Sequence, residues 1–237
     1  MRPYIVINGK SSKAIHGLLI QSLPPISKPA MRTEIEEIDG RDGDVVTTLG
    51  YSAYDRAVLI GLKGDYNIDD VIEYFNSGGE IVFSNEPDKV YKFAMYEQID
   101  FERLVRFRTA EVIFHVQPFK NSAIELPIVR SNLTGTILNI PIRNIGNIYS
   151  KPMIKFKASG EVNIYINEVH KLEVDLDETT EVTIDVVGMN ATDAQGNYIN
   201  RQVTGDYDKL TIPVGINEFR ITGAVQEVEI ANYSRWI

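Results

Sequence analysis

Histidine is the side chain best suited to acid–base or metal chemistry at neutral pH, and this 237-residue chain contains three. They are scattered, and none stands at a metal-ligand spacing from another candidate ligand. The three are His16, His115 and His170. We therefore expect structural roles for them, not a metal site or a catalytic base.

Carboxylates offer a second kind of chemistry. Asp39, Asp42 and Asp44 lie among glycines, but they lack the alternating spacing and the closing bidentate Glu of a calcium loop. None of the many possible acid pairs stands out as a glycosidase pair, and no nucleophile elbow, HExxH motif or phosphate loop occurs. The sequence therefore singles out no catalytic residue, no metal site and no cofactor.

The composition excludes further classes. Cysteine is absent, which removes disulfides and thiolate chemistry, and the net charge is −9. The basic cluster Arg103, Arg106 and Arg108 alternates with apolar residues and is flanked by acids, which favours a solvated or salt-bridged strand over specific nucleic-acid binding. The longest apolar stretch, residues 57–62, is too short to span a bilayer. The first residues lack a signal-peptide core, so we expect synthesis in a cytoplasm and no membrane insertion.

Residues 24–50 predict a long charged β-ribbon. Three prolines hold the entry extended, and two glycines, Gly40 and Gly43, bracket a turn at Arg41 and Asp42. Between them the side chains alternate, with Met31, Thr33 and Ile35 on one face and Arg32, Glu34 and Glu36 on the other. A helix would also place Met31, Ile35 and Ile38 on one side. The prolines and the threonine favour the strand.

The remaining elements predict two domains joined by a connector. Residues 1–118 form an α+β domain of antiparallel sheets with one helix at residues 68–76, whose apolar stripe is Ile68, Val71, Ile72 and Phe75. A long strand, residues 104–117, ends at Pro118, and residues 119–135 connect the domains. Residues 136–237 are all β and predict a β-sandwich. Its strands are expected at residues 136–143, 155–157, 161–166, 171–176, 181–186, 209–212, 217–221 and 224–230.

The longest unstructured segment is predicted at residues 188–205. It is rich in Asn, Asp, Thr and Gly, which favour surface loops. Tyr198 is the better candidate there for contact with a sugar or a partner, together with Asn197 and Asp193.

Three motifs resemble the distal tail protein (Dit) family of long-tailed bacteriophages and related tail-like particles. The ribbon tip, Ile38-Asp-Gly-Arg-Asp-Gly43, resembles the hairpin tip of that family. Asn144-Ile-Gly-Asn147 followed by Pro152 resembles the entry into its C-terminal domain. Gly205-Asp-Tyr207 with Leu210 and then Gly215-Ile-Asn217 resembles a later turn motif, although Asp208 replaces the usual proline. Gly205 and Gly215 are therefore expected at structural turns, and the terminal Arg235-Trp236 also fits.

The resemblance implies a structural protein of the virion tail tip, not an enzyme. Its N-terminal domain would form a hexameric ring, and its C-terminal domain would be a galectin-like or carbohydrate-module-like β-sandwich. The ring would join the tail tube to a tail-associated lysin or fibre hub, contact receptor-binding or baseplate proteins, and serve host attachment and DNA passage. The alternative is a carbohydrate-binding module or adhesin, against which the ribbon and the missing signal peptide count.

In a ring, the ribbon would lie on a neighbouring subunit, since a lone ribbon is marginal in water. At ~3.3 Å per residue, residues 30–39 reach about 30 Å, enough to cross a subunit boundary. The residues expected at this interface are Arg32, Glu34, Ile35, Glu36, Ile38, Arg41 and Asp42.

Overall fold

The chain is mainly β, as predicted. The structure, a computed structural model, describes residues 2–237. They divide into one compact unit that ends at Ala123 but also includes Ile237, and a second unit, Ile124–Trp236. Both α-helices of the described residues, α1 (Ile68–Tyr74) and α2 (Phe101–Phe107), belong to the first unit. No helix within residues 2–237 combines the length and the apolar character that a membrane crossing needs.

The first unit contains an antiparallel sheet and a separate ribbon. The sheet order is β2-β1-β7-β8-β9-β6-β3, while β4 pairs only with β5. The strands are β1 (Ile5–Ile7), β2 (Lys10–Ser11), β3 (Leu18–Ser22), β4 (Met31–Glu37), β5 (Asp44–Tyr51), β6 (Tyr54–Leu62), β7 (Gly79–Phe83), β8 (Lys89–Ala94) and β9 (Thr109–Ser122).

Alternation along the central strands builds the core of this unit. In β6, Val58 and Ile60 are fully buried, and in β9 the same holds for Phe114. The Phe114 ring packs edge-on against Phe83 and Phe93, with ring centroids 6.1 and 5.3 Å apart. Such aromatic pairs stabilise a core beyond their buried area.

Helix α1 forms where its capping signals predict, but it buries a different stripe. Asn67 caps it by accepting a hydrogen bond from the Asp69 amide at 3.1 Å. Val71 and Phe75 are buried as predicted, whereas Ile72 is 38% exposed. Tyr74 takes its place, because its ring is buried and its hydroxyl donates to the Ile5 carbonyl at 3.2 Å.

The prediction of a single helix was wrong, since residues 101–107 form α2 and not the start of a strand. The Asp100 side chain caps the helix by accepting from the Arg103 amide at 2.8 Å. Leu104 alone in this helix is fully buried, and Arg108, at φ 60°, ends it. The alternation of arginines with apolar residues, which predicted a strand, is instead part of a helix in which Leu104 is buried and Phe107 is exposed.

The prediction that the following strand ends at Pro118 was also wrong. The ladder between β8 and β9 is irregular between the pairs Tyr91–Lys120 and Phe93–Val116, which bracket the proline. A strand tolerates proline at such an irregularity because no ladder hydrogen bond is needed there. Residues 119–122 therefore continue β9, and the connector predicted at 119–135 starts inside a strand.

The second unit is one antiparallel sheet of long strands. Its order is β10-β16-β12-β13-β14, with β11 on β16 and β15 on β13. The strands of this sheet are β10 (Ile128–Arg130), β11 (Ile137–Asn144), β12 (Met153–Ile166), β13 (Val169–Asp185), β14 (Asn190–Thr192), β15 (Val203–Gly205) and β16 (Gly215–Ala231). The short strand β17 (Arg235–Trp236) is not part of it.

Six of the predicted short strands merge into three long, bent ones. The bend in β12 lies at Gly160, where φ is 69° and the register with β13 shifts. Phe156 before the bend and Ile164 after it are buried in the same core. The sheet therefore curls around that core as a sandwich does, and the predicted break between residues 157 and 161 is a bend within one strand.

Two further expectations for this unit were wrong. Residues 207–209 form a 3-10 helix, and Ile212 makes only an isolated bridge to Ser150, so no strand spans 209–212. The predicted loop 188–205 contains β14, β15 and the 3-10 helix Asn200–Gln202. The sequence did not predict these short hydrogen-bonded segments, because the composition around them is typical of turns.

We predict that Phe75→Ala lowers the free energy of unfolding by about 3–5 kcal/mol, the range for removing a large buried aromatic side chain. Phe75 is 4% exposed and lies against Tyr74 and Phe114. The control is Ile72→Ala on the exposed side of the same helix, with an expected loss of about 1 kcal/mol. Urea denaturation measures both, and equal losses would mean that Phe75 is not a core residue.

Candidate assembly interface

Residues 31–51 form a two-stranded ribbon, and the helical alternative was wrong. β4 and β5 pair antiparallel, with Met31 opposite Tyr51 and Glu37 opposite Asp44. Leu49 is an extra residue in the ladder, next to Gly50 at φ 112°. A bulge of this kind increases the twist of a ribbon locally.

The tip turns at the predicted glycines. Gly40 and Gly43 have φ values of 81° and 77°, and the Arg41 amide donates to the Ile38 carbonyl at 3.1 Å. A side chain at either glycine would strain the turn, because L-residues avoid this region. Arg41 and Asp42 therefore stand at the far end of the ribbon.

One face of the ribbon combines apolar and acidic side chains. Residues directly opposite each other share a face, so Ile35 with Val46 lies next to Glu37 with Asp44. Ile35 and Val46 are 61% and 58% exposed. We call these four residues the apolar–acidic face; the other face carries Arg32, Glu34 and Glu36, as predicted from alternation.

Within residues 2–237, no charged side chain of the ribbon forms an ion pair. Arg32 donates only to the Leu49 carbonyl, at 3.3 Å. β4 is exposed along its whole length. The residues predicted at a subunit interface thus lie together on a projecting, unpartnered element, and their contacts with a neighbour stay a prediction.

A buried cation holds the base of the ribbon. Arg56, only 1% exposed, donates from Nη2 to the carbonyls of Pro24 and Pro25 at 3.4 and 3.1 Å. Asn85 Nδ2 also donates to the Pro24 carbonyl, at 3.0 Å. The chain is therefore clamped where it leaves the core, six residues before it reaches Met31.

Glu86 balances this cation inside the core. Its Oε2 atom lies 3.4 Å from Arg56 Nη1 and accepts from the Tyr91 hydroxyl at 2.5 Å. Its Oε1 atom accepts from Lys120 Nζ at 2.5 Å. The guanidinium also lies 4.5 Å from the centroid of the Phe83 ring. We call Arg56, Glu86, Tyr91 and Lys120 the base cluster.

Electrostatics keeps Glu86 ionised within the base cluster. Burial raises the pKa of Glu86, but hydrogen bonds from Lys120 and Tyr91 and the charges of Lys120 and Arg56 outweigh it, so the pKa lies below its ordinary value. Burial, followed by the hydrogen bond to Glu86, raises the pKa of Tyr91. Glu86 is therefore an anion between two cations at neutral pH.

Sequence reasoning missed the base cluster, although one signal was present. Arg56 shares its parity with Val58 and Ile60 in β6, which places a charged residue on the buried face of an apolar strand. A buried charge requires a partner. Its partner lies thirty positions away at Glu86, which no local pattern indicates.

The candidate ligand loop is only partly free. The Asp193 carboxylate accepts hydrogen bonds from the Gln195 and Asn197 amides and from Asn197 Nδ2, at 2.9, 2.8 and 2.9 Å. The Asn197 side chain and these amides lower the pKa of Asp193. Both residues thus hold a turn closed, while Tyr198 is 76% exposed. Ligand contact by this loop stays a prediction.

The motif residues of the second unit act in turns. Asn144 is buried and donates to the carbonyls of Ile148 and Ile212 at 2.9 and 3.1 Å, and a Cβ at Gly146 would collide with the Arg235 carbonyl. Gly205 and Gly215 have φ values of 124° and 105°. Where the family has proline, Asp208 lies in a 3-10 turn and accepts from Lys151 at 2.7 Å.

The histidines lie in separate surroundings. His115 Nδ1 is 2.7 Å from Asp55 Oδ1 and 3.2 Å from the Tyr96 hydroxyl, and His170 Nε2 is 2.8 Å from Asn163 Oδ1. His16 is exposed. Across the described residues, no group of three or more His, Cys, Asp or Glu could hold a metal ion.

Known structures share this architecture, although comparison of the sequence with protein families and curated proteins finds no match. No protein-family model matches the chain, and no curated protein matches it in sequence. SPP1 Dit (gp 19.1) matches over 100% of both chains, with a TM-score of 0.66 and 19% sequence identity. The chain has the Dit fold.

Chains of the phage P2 baseplate share the Dit fold more distantly. In its activated conformation with Ca, a chain of that baseplate matches at a TM-score of 0.57 and 8% identity, and the form with Sr at 0.55 and 9%. Each alignment covers 98% of this chain and 97% of the other. The predicted resemblance is thus confirmed at the level of the fold and spans both units.

We predict that Glu86→Gln lowers the free energy of unfolding by about 3–5 kcal/mol, because it leaves two buried cations without their anion. The matched control is Asp88→Asn, which removes the exposed partner of Lys89 and should cost about 0–1 kcal/mol. Chemical denaturation at pH 7 gives both values. A Glu86→Gln protein as stable as the control would show that the base cluster contributes nothing.

The base cluster also predicts an acid dependence. Because folding lowers the pKa of Glu86, its contribution is complete above the ordinary value of 4.5 and is lost as the pH falls through the folded value. The wild-type protein should therefore lose stability below that pH more steeply than Glu86→Gln, which lacks this titration. Parallel slopes in thermal denaturation across the acid range would contradict the assignment.

Proposed function

We propose that this protein is a structural hub of a phage tail, in which copies of the chain close into a hexameric ring at the distal end of the tail tube. The observation that carries this proposal is the exposed ribbon, which projects from a chain with the Dit fold. SPP1 Dit, which has the same fold, is described as a paradigm of the hub adsorption apparatus in Gram-positive infecting phages.

The ribbon supports ring formation on physical grounds. It exposes apolar residues on a two-stranded element, and such elements need a further surface for stability. Heterologous contacts between identical subunits close into a ring when the rotation allows, which covers every exposed ribbon. In this ring Ile35 and Ile38 pack across the subunit boundary, while Arg32, Glu34, Glu36, Arg41 and Asp42 set the register.

The partners follow from this position in the virion. The ring joins the tail tube protein to a tail-associated lysin or fibre hub, and it contacts receptor-binding or baseplate proteins during host attachment. Its role is structural and not enzymatic, and the protein is synthesised in the cytoplasm of the bacterial host. A net charge of −9 suits a lumen that repels the phosphates of passing DNA.

The domain division carries a further proposal. Residues 136–237 fold independently of residues 1–118, because the two units have separate hydrophobic cores. In the proposed hub, residues 1–118 are the ring-forming domain and residues 136–237 are the outer β-sandwich.

We predict that replacing residues 31–43 by a short Gly-Ser turn yields a folded monomer that no longer forms rings. The ribbon is a separate two-stranded sheet, so its loss removes no strand of the main sheet. Light scattering gives the mass, and negative-stain microscopy of the parent protein gives the symmetry. If the deletion protein still has the mass of the parent oligomer, the ribbon is not the element that joins the subunits.

A point variant makes the same test without a deletion. Ile35→Asp should weaken ring formation, whereas Val129→Asp, which changes a similarly exposed apolar residue of the second unit, should leave it intact. Equal effects of the two would point to general loss of solubility.

A further inference from the structure

Helix α2 presents an apolar and basic surface that the hub role leaves unassigned. Leu104 anchors the helix in the core, while Val105 and Phe107 are 40% and 62% exposed. Arg103 and Arg106 line an open groove of about 540 Å³ beside Phe107, together with Thr109 and the acids Asp100 and Glu102. The Arg106 guanidinium lies 5.3 Å from the centroid of the Phe107 ring, so cationic and aromatic surface are adjacent.

The chemical character of this surface is complementary to that of the apolar–acidic face of the ribbon. Both expose large apolar side chains next to a pair of charges, and the charges have opposite signs. Residues 31–44 contain six acids and two arginines, whereas residues 100–108 contain three arginines and two acids. One of those acids, Asp100, is engaged as the helix cap.

Both charge pairs lack a counter-ion in a single copy. Glu37 lies directly opposite Asp44, an arrangement that repels. Neither carboxylate, nor Arg103 or Arg106, forms an ion pair within residues 2–237. Bringing the two pairs together relieves the repulsion and covers the apolar side chains on both sides.

We propose that α2 is the acceptor for the ribbon of a second copy of this chain. Ile35 and Val46 pack on Val105 and Phe107, and the Glu37–Asp44 pair meets the two arginines, Arg103 and Arg106. This inference rests on the proposed ring and names the surface that its ribbon contacts. It assigns a function to a helix that the sequence had predicted as a strand.

Charge exchange between the two surfaces tests the proposal. Arg103→Glu with Arg106→Glu, and separately Glu37→Lys with Asp44→Lys, should each weaken self-association about tenfold or more, because like charges then meet. All four substitutions together should restore association to within about threefold of the parent. Sedimentation velocity of the full chain over a concentration series measures this.

The control for the arginine reversal is Lys10→Glu with Lys63→Glu, which makes the same change in net charge as that reversal at exposed positions of the same unit. It should leave association unchanged, and unaltered thermal midpoints should show that every variant folds. Association that survives both the arginine and the ribbon reversals would overturn α2 as the acceptor.

The ribbon deletion separates the two proposals. If the arginine reversal has no effect while the deletion yields monomers, the ring proposal stands and α2 is not its acceptor. If the deletion also leaves the oligomer intact, both proposals fail. Failure of the four-fold variant to restore association, with its fold intact, would likewise exclude this pairing.

Discussion

The buried pairing of Glu86 with Arg56 and Lys120 is the interaction on which the ribbon's position depends. An isolated guanidinium in this core would be too costly, and Glu86 makes its burial possible. Arg56 Nη2 then reaches the carbonyls of Pro24 and Pro25, while the buried Nε has no hydrogen-bond partner within residues 2–237. A buried carbonyl needs a hydrogen-bond donor, and Arg56 supplies one. The same side chain therefore pairs with Glu86 in the core and holds the segment that leads to the ribbon.

This arrangement separates a rigid base from an exposed arm. At the base, Tyr51 packs edge-on against Phe119 at 5.5 Å, and the Ser52 amide donates to the Ala30 carbonyl at 2.9 Å. Beyond Met31 the ribbon has only its own ladder to hold it. A projecting arm that starts from a fixed base loses less orientational freedom on docking than a flexible one, which favours association.

Local chemistry explains which elements could be predicted from the sequence. The ribbon and α1 were predictable because alternation, turn glycines and an N-cap are encoded by neighbouring residues. Helix α2 was not, since residues 103–108 fit strand alternation as well as helical spacing, and only the burial of Leu104 decides between them. The bend at Gly160 also required tertiary information, because a bend and a strand end use the same residue.

In the ribbon as well, some features could be predicted from neighbouring residues and others could not. Alternation placed Glu34 and Glu36 on one face and Ile35 on the other, but it did not reveal that Glu37 faces Asp44, which depends on the register across the ribbon. That register has a consequence for specificity. An exposed ribbon with apolar residues invites pairing with a second ribbon, and natural sheets prevent this with charges at the edge. Two such ribbons would bring together two acidic pairs, so self-pairing is disfavoured while a basic surface remains acceptable. In the proposed ring, the acidic pair reduces the stability of the free ribbon and favours its docking on a surface of opposite charge.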